Sequence, residues 1–286
     1  QLAFDLNFFS FYKVYYMHYL NKKIYFISFV ITFLLVSTST FSKNNENMYT
    51  QKYISNYLSG IISLKNDNND AAYKYLKEVK SLKKSHNNFN IEFIQTLVLL
   101  EKFKDAIKFS NDIWNEDKLL FEADLLLGLN HLKNQKYSQA SKHFKRLSKT
   151  HRYNLPIESF LSNILLAWTY AAEGNEKDSF NSFNKVSDRY ENLKLIQKSF
   201  LQCYFDFPDT KKSFSELIGD QDYNFTRYNF FLANYLLFKG KKEEAKKIIT
   251  AARKDNNTNL LLEQSEKFIL AKNEKKIKNF FNCKRQ

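Results

Sequence analysis

Between Phe121 and Lys149 the chain reads FEADLLLGLNHLKNQKYSQASKHFKRLSK: apolar positions at helical spacing, the polar break KNQK, then helical spacing again. The pattern predicts two short helices joined by a turn. Gly128 and Ala140 stand twelve residues apart, and Tyr137 and Phe144 flank the alanine at −3 and +4. Much of the chain repeats this arrangement. The small residue of each second helix sets the period: Ala72, Ala106 and Ala140 are 34 residues apart, Ser179 follows after 39, Ser213 after 34 and Ala245 after 32. Two helices that cross closely need a small residue at the crossing, and large residues on either side then fill the space between pairs. Six units are expected, at 53–86, 87–120, 121–154, 160–193, 194–225 and 226–259, after a linker at 43–52. Apolar residues at 261, 262, 268, 269, 277, 280 and 281 predict one or two more helices in 260–286. Phe280 and Phe281 lack the polar outer face of a finished cap, so that segment is expected to be the truncated start of a further repeat.

A period of 34 with helix–turn–helix content resembles the tetratricopeptide repeat family, over residues 53 to 259. That family places small residues at repeat positions 8 and 20 and large ones at 11, 17 and 24. The first unit offers Gly60 and Ala72, the second Phe103 and Ala106 with Ile94 in the first small position. The third has Gly128, Tyr137, Ala140 and Phe144, and the fourth Ala167, Tyr170, Ser179 and Phe183. The fifth, taken from Lys194, is poor, with Leu201, Tyr204 and Ser213; the sixth recovers with Ala233 and Ala245. Two family marks are absent. Asn56, Asn90 and Asp124 stand where a tryptophan is expected at position 4, and Lys84, Lys118 and Arg152 where a proline is expected at position 32. The resemblance implies an all-α fold, a right-handed superhelical solenoid of about six repeats. The five extra residues before the fourth unit, around Pro156, are expected to form a surface insertion.

The N-terminal 1–42 follow a different pattern. Met17 is the expected start, followed by Lys22 and Lys23, the apolar run Ile24–Val36 and the polar STSTFS. Thirteen apolar residues after a basic start match a secretory signal peptide, and fall short of the roughly 20 that a membrane span needs. Export with cleavage before Lys43 is the expectation, with an uncleaved inner-membrane anchor as the alternative. Membrane contact is expected only through this segment.

Composition adds little chemistry. Five Gly and two Pro in 286 residues, against ordinary usage of roughly 7% and 5%, agree with long helices and short turns. The net charge of +14 invites a nucleic-acid reading, but lysine is scattered along the chain and not gathered in a stripe. Cys203 and Cys283 could form one disulfide in an oxidising compartment or remain separate thiols. His131 falls at position 11 of the third unit, where packing is expected. His143 and His151 have no carboxylate pair near them in sequence. With no HExxH, GxSxG or phosphate loop, no catalytic, metal or cofactor site is expected.

In the family the first helix of each repeat lines the concave side through positions 2, 5, 9, 12 and 13. Taking positions 5 and 9, the resemblance implies a groove formed by Tyr57, Ile61, Gln95, Leu125, Leu129, Ile164, Trp168, Gln202, Phe230 and Asn234. The lysine–asparagine clamp by which some members grip chaperone tails is missing from the first four units. The chain further resembles secreted tetratricopeptide proteins of α-proteobacteria. The expected function is a non-catalytic scaffold or adaptor of the bacterial envelope, periplasmic or secreted. Its groove would hold a protein partner through an amphipathic helix or apolar segment. The alternative is a nucleic-acid-binding helical repeat protein.

Overall fold

A computed structural model describes residues 50–150, 157–219, 226–255, 258–270 and 283. The segment expected to act as an export signal and the connection around Pro156 lie outside them. The chain divides into two compact units, Gln1–Val79 and Lys80–Gln286, each described by itself. The described residues are helical, with one isolated bridge between Asn115 and Lys118.

In the first unit, helices α1 (Gln51–Lys65) and α2 (Asn69–Lys77) form a hairpin. The linker expected at 43–52 therefore ends earlier, because the Thr50 side chain accepts the Tyr53 N–H (3.3 Å) and starts α1 at Gln51. The second unit continues with a 3₁₀ turn (Lys80–Lys84), α3 (Asn87–Leu99), α4 (Phe103–Ile113), α5 (Phe121–Lys133) and α6 (Tyr137–Leu147). After these come α7 (Ile157–Glu173), α8 (Glu176–Phe183), a short 3₁₀ turn (Asp188–Tyr190), α9 (Glu191–Tyr204) and α10 (Thr210–Gly219). The described part closes with α11 (Thr226–Phe238), α12 (Lys242–Asp255) and α13 (Leu260–Leu270).

The same turn closes the first helix of six hairpins among the described residues. Asp67, Glu101, Gln135, Gly174, Asp206 and Gly240 all have positive φ, between 56° and 84°. In each case the next residue's N–H donates to the carbonyl five positions back. The pairs are Asn68 to Ser63, Lys102 to Leu97, Lys136 to His131, Asn175 to Tyr170, Phe207 to Gln202 and Lys241 to Leu236, all at 2.8–2.9 Å. This is the Schellman ending, which satisfies carbonyls that a helix would otherwise leave orphaned. Only two of the six turns use glycine, so four non-glycine residues hold the left-handed conformation.

Seven residues before each of these turns sits the crossing residue: Gly60, Ile94, Gly128, Ala167, Ser199 and Ala233, all buried. A Cβ on Gly60 would stand 2.6 Å from the Leu76 side chain. One on Gly128 would stand 2.7 Å from Cδ1 of Phe144 and closer still to Cε1. This register corrects the fifth unit, whose crossing residue is Ser199, fully buried, and not Leu201. Its turn is two residues longer than the others, since Asp206 precedes Ser213 by seven positions where five is the rule. The extra length holds Pro208, and α10 starts only at Thr210.

Within the second unit, close contacts run between most sequential helices and between the first helices of some consecutive hairpins, α3 with α5, α7 with α9, and α11 with α13. The cores span hairpin boundaries. Ala140, Phe144 and Leu147 are completed by Leu166 of α7, and Ala167, Ala171 and Phe183 by Leu201 of α9. The last cluster joins Phe214, Leu236, Ala245 and Ile249 to Leu262 of α13. Cys203 belongs to this cluster and forms a disulfide with Cys283, with a Cα–Cα distance of 5.5 Å and a sequence separation of 80.

Two outcomes are expected. Gly128→Ala pushes a methyl into the Phe144 ring and lowers stability by roughly 1–3 kcal/mol, despite a helix-propensity gain of about 1 kcal/mol. Glu101→Gly relieves a left-handed residue and raises stability by up to about 1 kcal/mol; urea titrations of both variants check the opposite signs. Separately, the disulfide removes loop entropy from the unfolded chain, worth roughly 4 kcal/mol. Melting in the presence of reductant should fall by on the order of 10 °C, and Cys203→Ser should be insensitive to the reductant.

Candidate functional site

Within the second unit, the groove residues taken from positions 5 and 9 differ widely in exposure. In the first unit, Tyr57 and Ile61 are half-buried on α1. In the second unit, Gln95 and Leu125 are half-buried, and Leu129 is 41% exposed. Four others face packed surfaces. Ile164 lies in the core of the fourth hairpin, and Phe230 in the core around α11. Asn234 is buried, its Nδ2 donating to the Phe230 carbonyl at 2.7 Å. Gln202 is buried as well, and its Oε1 accepts the Ser213 hydroxyl at 2.6 Å. The Gln202 assignment is corrected by the register of the fifth hairpin: it points at its own second helix, where a crossing contact is made.

Trp168 does line an open space. A cleft of about 550 Å³ opens where α5, α7 and α9 come together, bounded by Leu132 and Lys133, by Trp168 and Ala172, and by Tyr204. Gln135 and Tyr137, at the turn into α6, complete it. The Trp168 indole N–H donates to Oε1 of Gln197 at 2.7 Å, and its ring meets Tyr204 edge-on at 6.1 Å and 87°. Both contacts fix the indole while leaving it half-buried. Leu132, Lys133, Ala172 and, in the corrected register, Tyr204 occupy positions 12 and 13 of their hairpins. Those positions carry the cleft as much as position 9 does.

A second constellation escaped the sequence reading. Asp124 is fully buried and accepts three donors: the Trp114 indole N–H at 2.9 Å, His143 Nδ1 at 2.8 Å and Arg146 Nε at 3.0 Å. Arg146 also donates from its two terminal nitrogens to the carbonyls of Glu116 (2.6 Å), Asn115 (2.9 Å) and Lys118 (2.7 Å). Its guanidinium lies 5.1 Å over the Trp114 ring. A buried charge is tolerated when it is paired and its remaining hydrogen bonds are made, and here both conditions hold. The network ties the loop between α4 and α5 to α6. The only advance signal was Asp124 itself, an acid where the repeat pattern calls for a large apolar residue.

His131 stacks on His143 with ring centroids 5.3 Å apart and planes 12° from parallel. Burial, then the neighbouring His143 and Lys136, hold its pKa below the ordinary histidine value. Its Nδ1 is shut from water without a hydrogen-bond partner, so a proton added there would find no acceptor. Among the described residues, no cluster of three or more His, Cys, Asp or Glu is placed to hold a metal ion. Nor is any described helix long and apolar enough to cross a membrane.

No protein-family model matches the chain, and no curated protein matches it.

The histidine has a testable consequence. Its folded pKa is depressed, so the unfolded chain takes up a proton first as pH falls below about 6.5. His131 therefore contributes stability that is present above that pH and lost as pH falls from there through the folded value. Urea unfolding at pH 7.5 and at pH 5 should show the loss, and His131→Gln should reduce the difference between the two.

Proposed function

We propose that the chain is a non-catalytic interaction scaffold of the tetratricopeptide type. In this reading its hairpins stack as a right-handed solenoid, and the cleft at Trp168 receives an apolar or amphipathic segment of a partner protein. The observation that carries the reading is the cleft itself: a fixed tryptophan, two tyrosines and Leu132 around an open volume of about 550 Å³. That volume is within the usual range of binding pockets, about 300–1,000 Å³, and half-buried aromatic anchors are frequent hot spots of recognition. The six repeated turns and crossing residues support the repeat class. The lining at positions 9, 12 and 13 agrees with where that family presents its ligand surface.

An exported location goes with this function, in the periplasm of a bacterial cell or outside it. The Cys203–Cys283 disulfide supports it, because such bonds persist in oxidising compartments and are rare in the cytosol. The apolar run Ile24–Val36 after Lys22 and Lys23 supports it from the sequence.

Selection of random peptides on the full chain tests the groove. Enriched peptides should carry aromatic or branched apolar residues at helical spacing, and Trp168→Ala should weaken them by roughly ten- to hundredfold, a hot-spot loss. Peptides that bind the wild type and Trp168→Ala equally would remove the cleft from the proposal.

A further inference from the structure

A second cleft, sharing no lining residue with the one at Trp168, lies between α6 and α8 with α7 as its floor. It encloses about 610 Å³. Lys145 and Lys149 form one wall and Lys185, just past α8, the other. Elsewhere on this chain, some lysines near helix junctions meet acids. Lys211 on α10 pairs with Glu244 on α12, Lys239 with Asp206, and Lys142 with Glu116. None of the three cleft lysines has an ion pair among the described residues, and all are exposed. Lys145 near the end of α6 and Lys149 just past it are like charges four residues apart in sequence. The facing acid is Asp178, and its Oδ2 already accepts from Asn175 Nδ2 at 2.7 Å. Among the described residues, three exposed cations surround one engaged carboxylate, a local excess of positive charge.

We propose that this cleft binds a small polyanion carrying clustered phosphate or sulfate groups. Lysine suits these groups as a compact charge with three donors. Tyr170 on α7 and Asn181 on α8 also line the cleft, residue types that carry neutral donors for the remaining oxygens. A single anion would meet only part of the lysine set, whereas clustered anions reach both walls. Nucleic acid is the less suitable occupant: it needs a basic stripe that tracks a backbone, and this cleft is bounded by α6 and α8.

Calorimetry on the full chain at low salt, with tripolyphosphate in one arm and sucrose octasulfate in the other, tests the proposal. One-to-one binding of either probe is expected, and the arm that binds more tightly distinguishes phosphate from sulfate esters. Lys145→Gln/Lys149→Gln/Lys185→Gln should weaken binding by about tenfold or more, through loss of charge-assisted contacts. The control Lys104→Gln/Lys108→Gln/Lys212→Gln removes the same charge elsewhere and should change affinity by less than about threefold, the screened long-range share. All six lysines are exposed, so neither variant disturbs the core. Absence of binding in both arms, or equal weakening in the two variants, would overturn the site. So would a preference for duplex DNA or anionic vesicles over both small probes.

Discussion

Two helices of a hairpin can share a core only if their axes approach closely where they cross, and this requirement governs much else in the molecule. At Gly128 the distance is set by the ring of Phe144, which fills the space a Cβ would need. At Gly60 the Leu76 side chain does the same. Once the axes are fixed there, the seven residues from the crossing to the left-handed turn fix where the first helix ends. The turn residue, five positions before the small residue of the second helix in five of the six described hairpins, in turn sets where that helix begins. Dihedral strain is accepted for this constancy, since Asp67, Glu101, Gln135 and Asp206 all stand at positive φ without being glycine.

The Asp124 network shows what happens when the pattern is broken inside such a crossing. An acid placed in the buried first helix must find compensation, and α6 supplies it through His143 and Arg146. Arg146 then has donors left over, and these take the carbonyls of the loop from Asn115 to Lys118. A substitution that looks like a defect in a repeat thereby becomes the means of ordering the connection before it. The joint is specific to the third hairpin, because no other described crossing holds a buried acid.

How much of this could be read from residues alone depends on turn length. Where the turn is constant, the column Ala72, Ala106, Ala140 lies five residues past each left-handed turn residue, because spacing between small residues is then the same quantity as spacing between turns. In the fifth unit the column Ser179, Ser213 kept a spacing of 34 while the turn lengthened around Pro208, so the first helix was read two residues out. Gln202 was assigned to a groove for that reason, and Ser199 was overlooked. The site was less legible than the fold. Trp168 was visible as a large residue at a position that faces outward, but whether positions 5 and 9 stay open depends on how the next hairpin leans. Ile164, Phe230 and Asn234 are covered; Leu129 is not. Partners far apart in sequence, such as Asp124 and His143 nineteen residues later, leave no local pattern.

Contacts that run mostly between neighbours have a further consequence for the second unit. Cooperativity must be handed from one hairpin to the next, and a weak junction anywhere lets part of the array open separately. The longer turn at Pro208 lies at such a point, between the core centred on Ala167 and the one centred on Leu236. The disulfide meets this position directly. Cys203 sits one turn before Asp206 in α9, and Cys283 lies beyond α13, so the bond encloses α10, α11, α12 and α13 in one loop. Opening that stretch then cannot gain the full entropy of a free chain. Reduction should therefore loosen the part of the unit after α9 before the part that holds Trp168, and hydrogen exchange resolved by helix would separate the two.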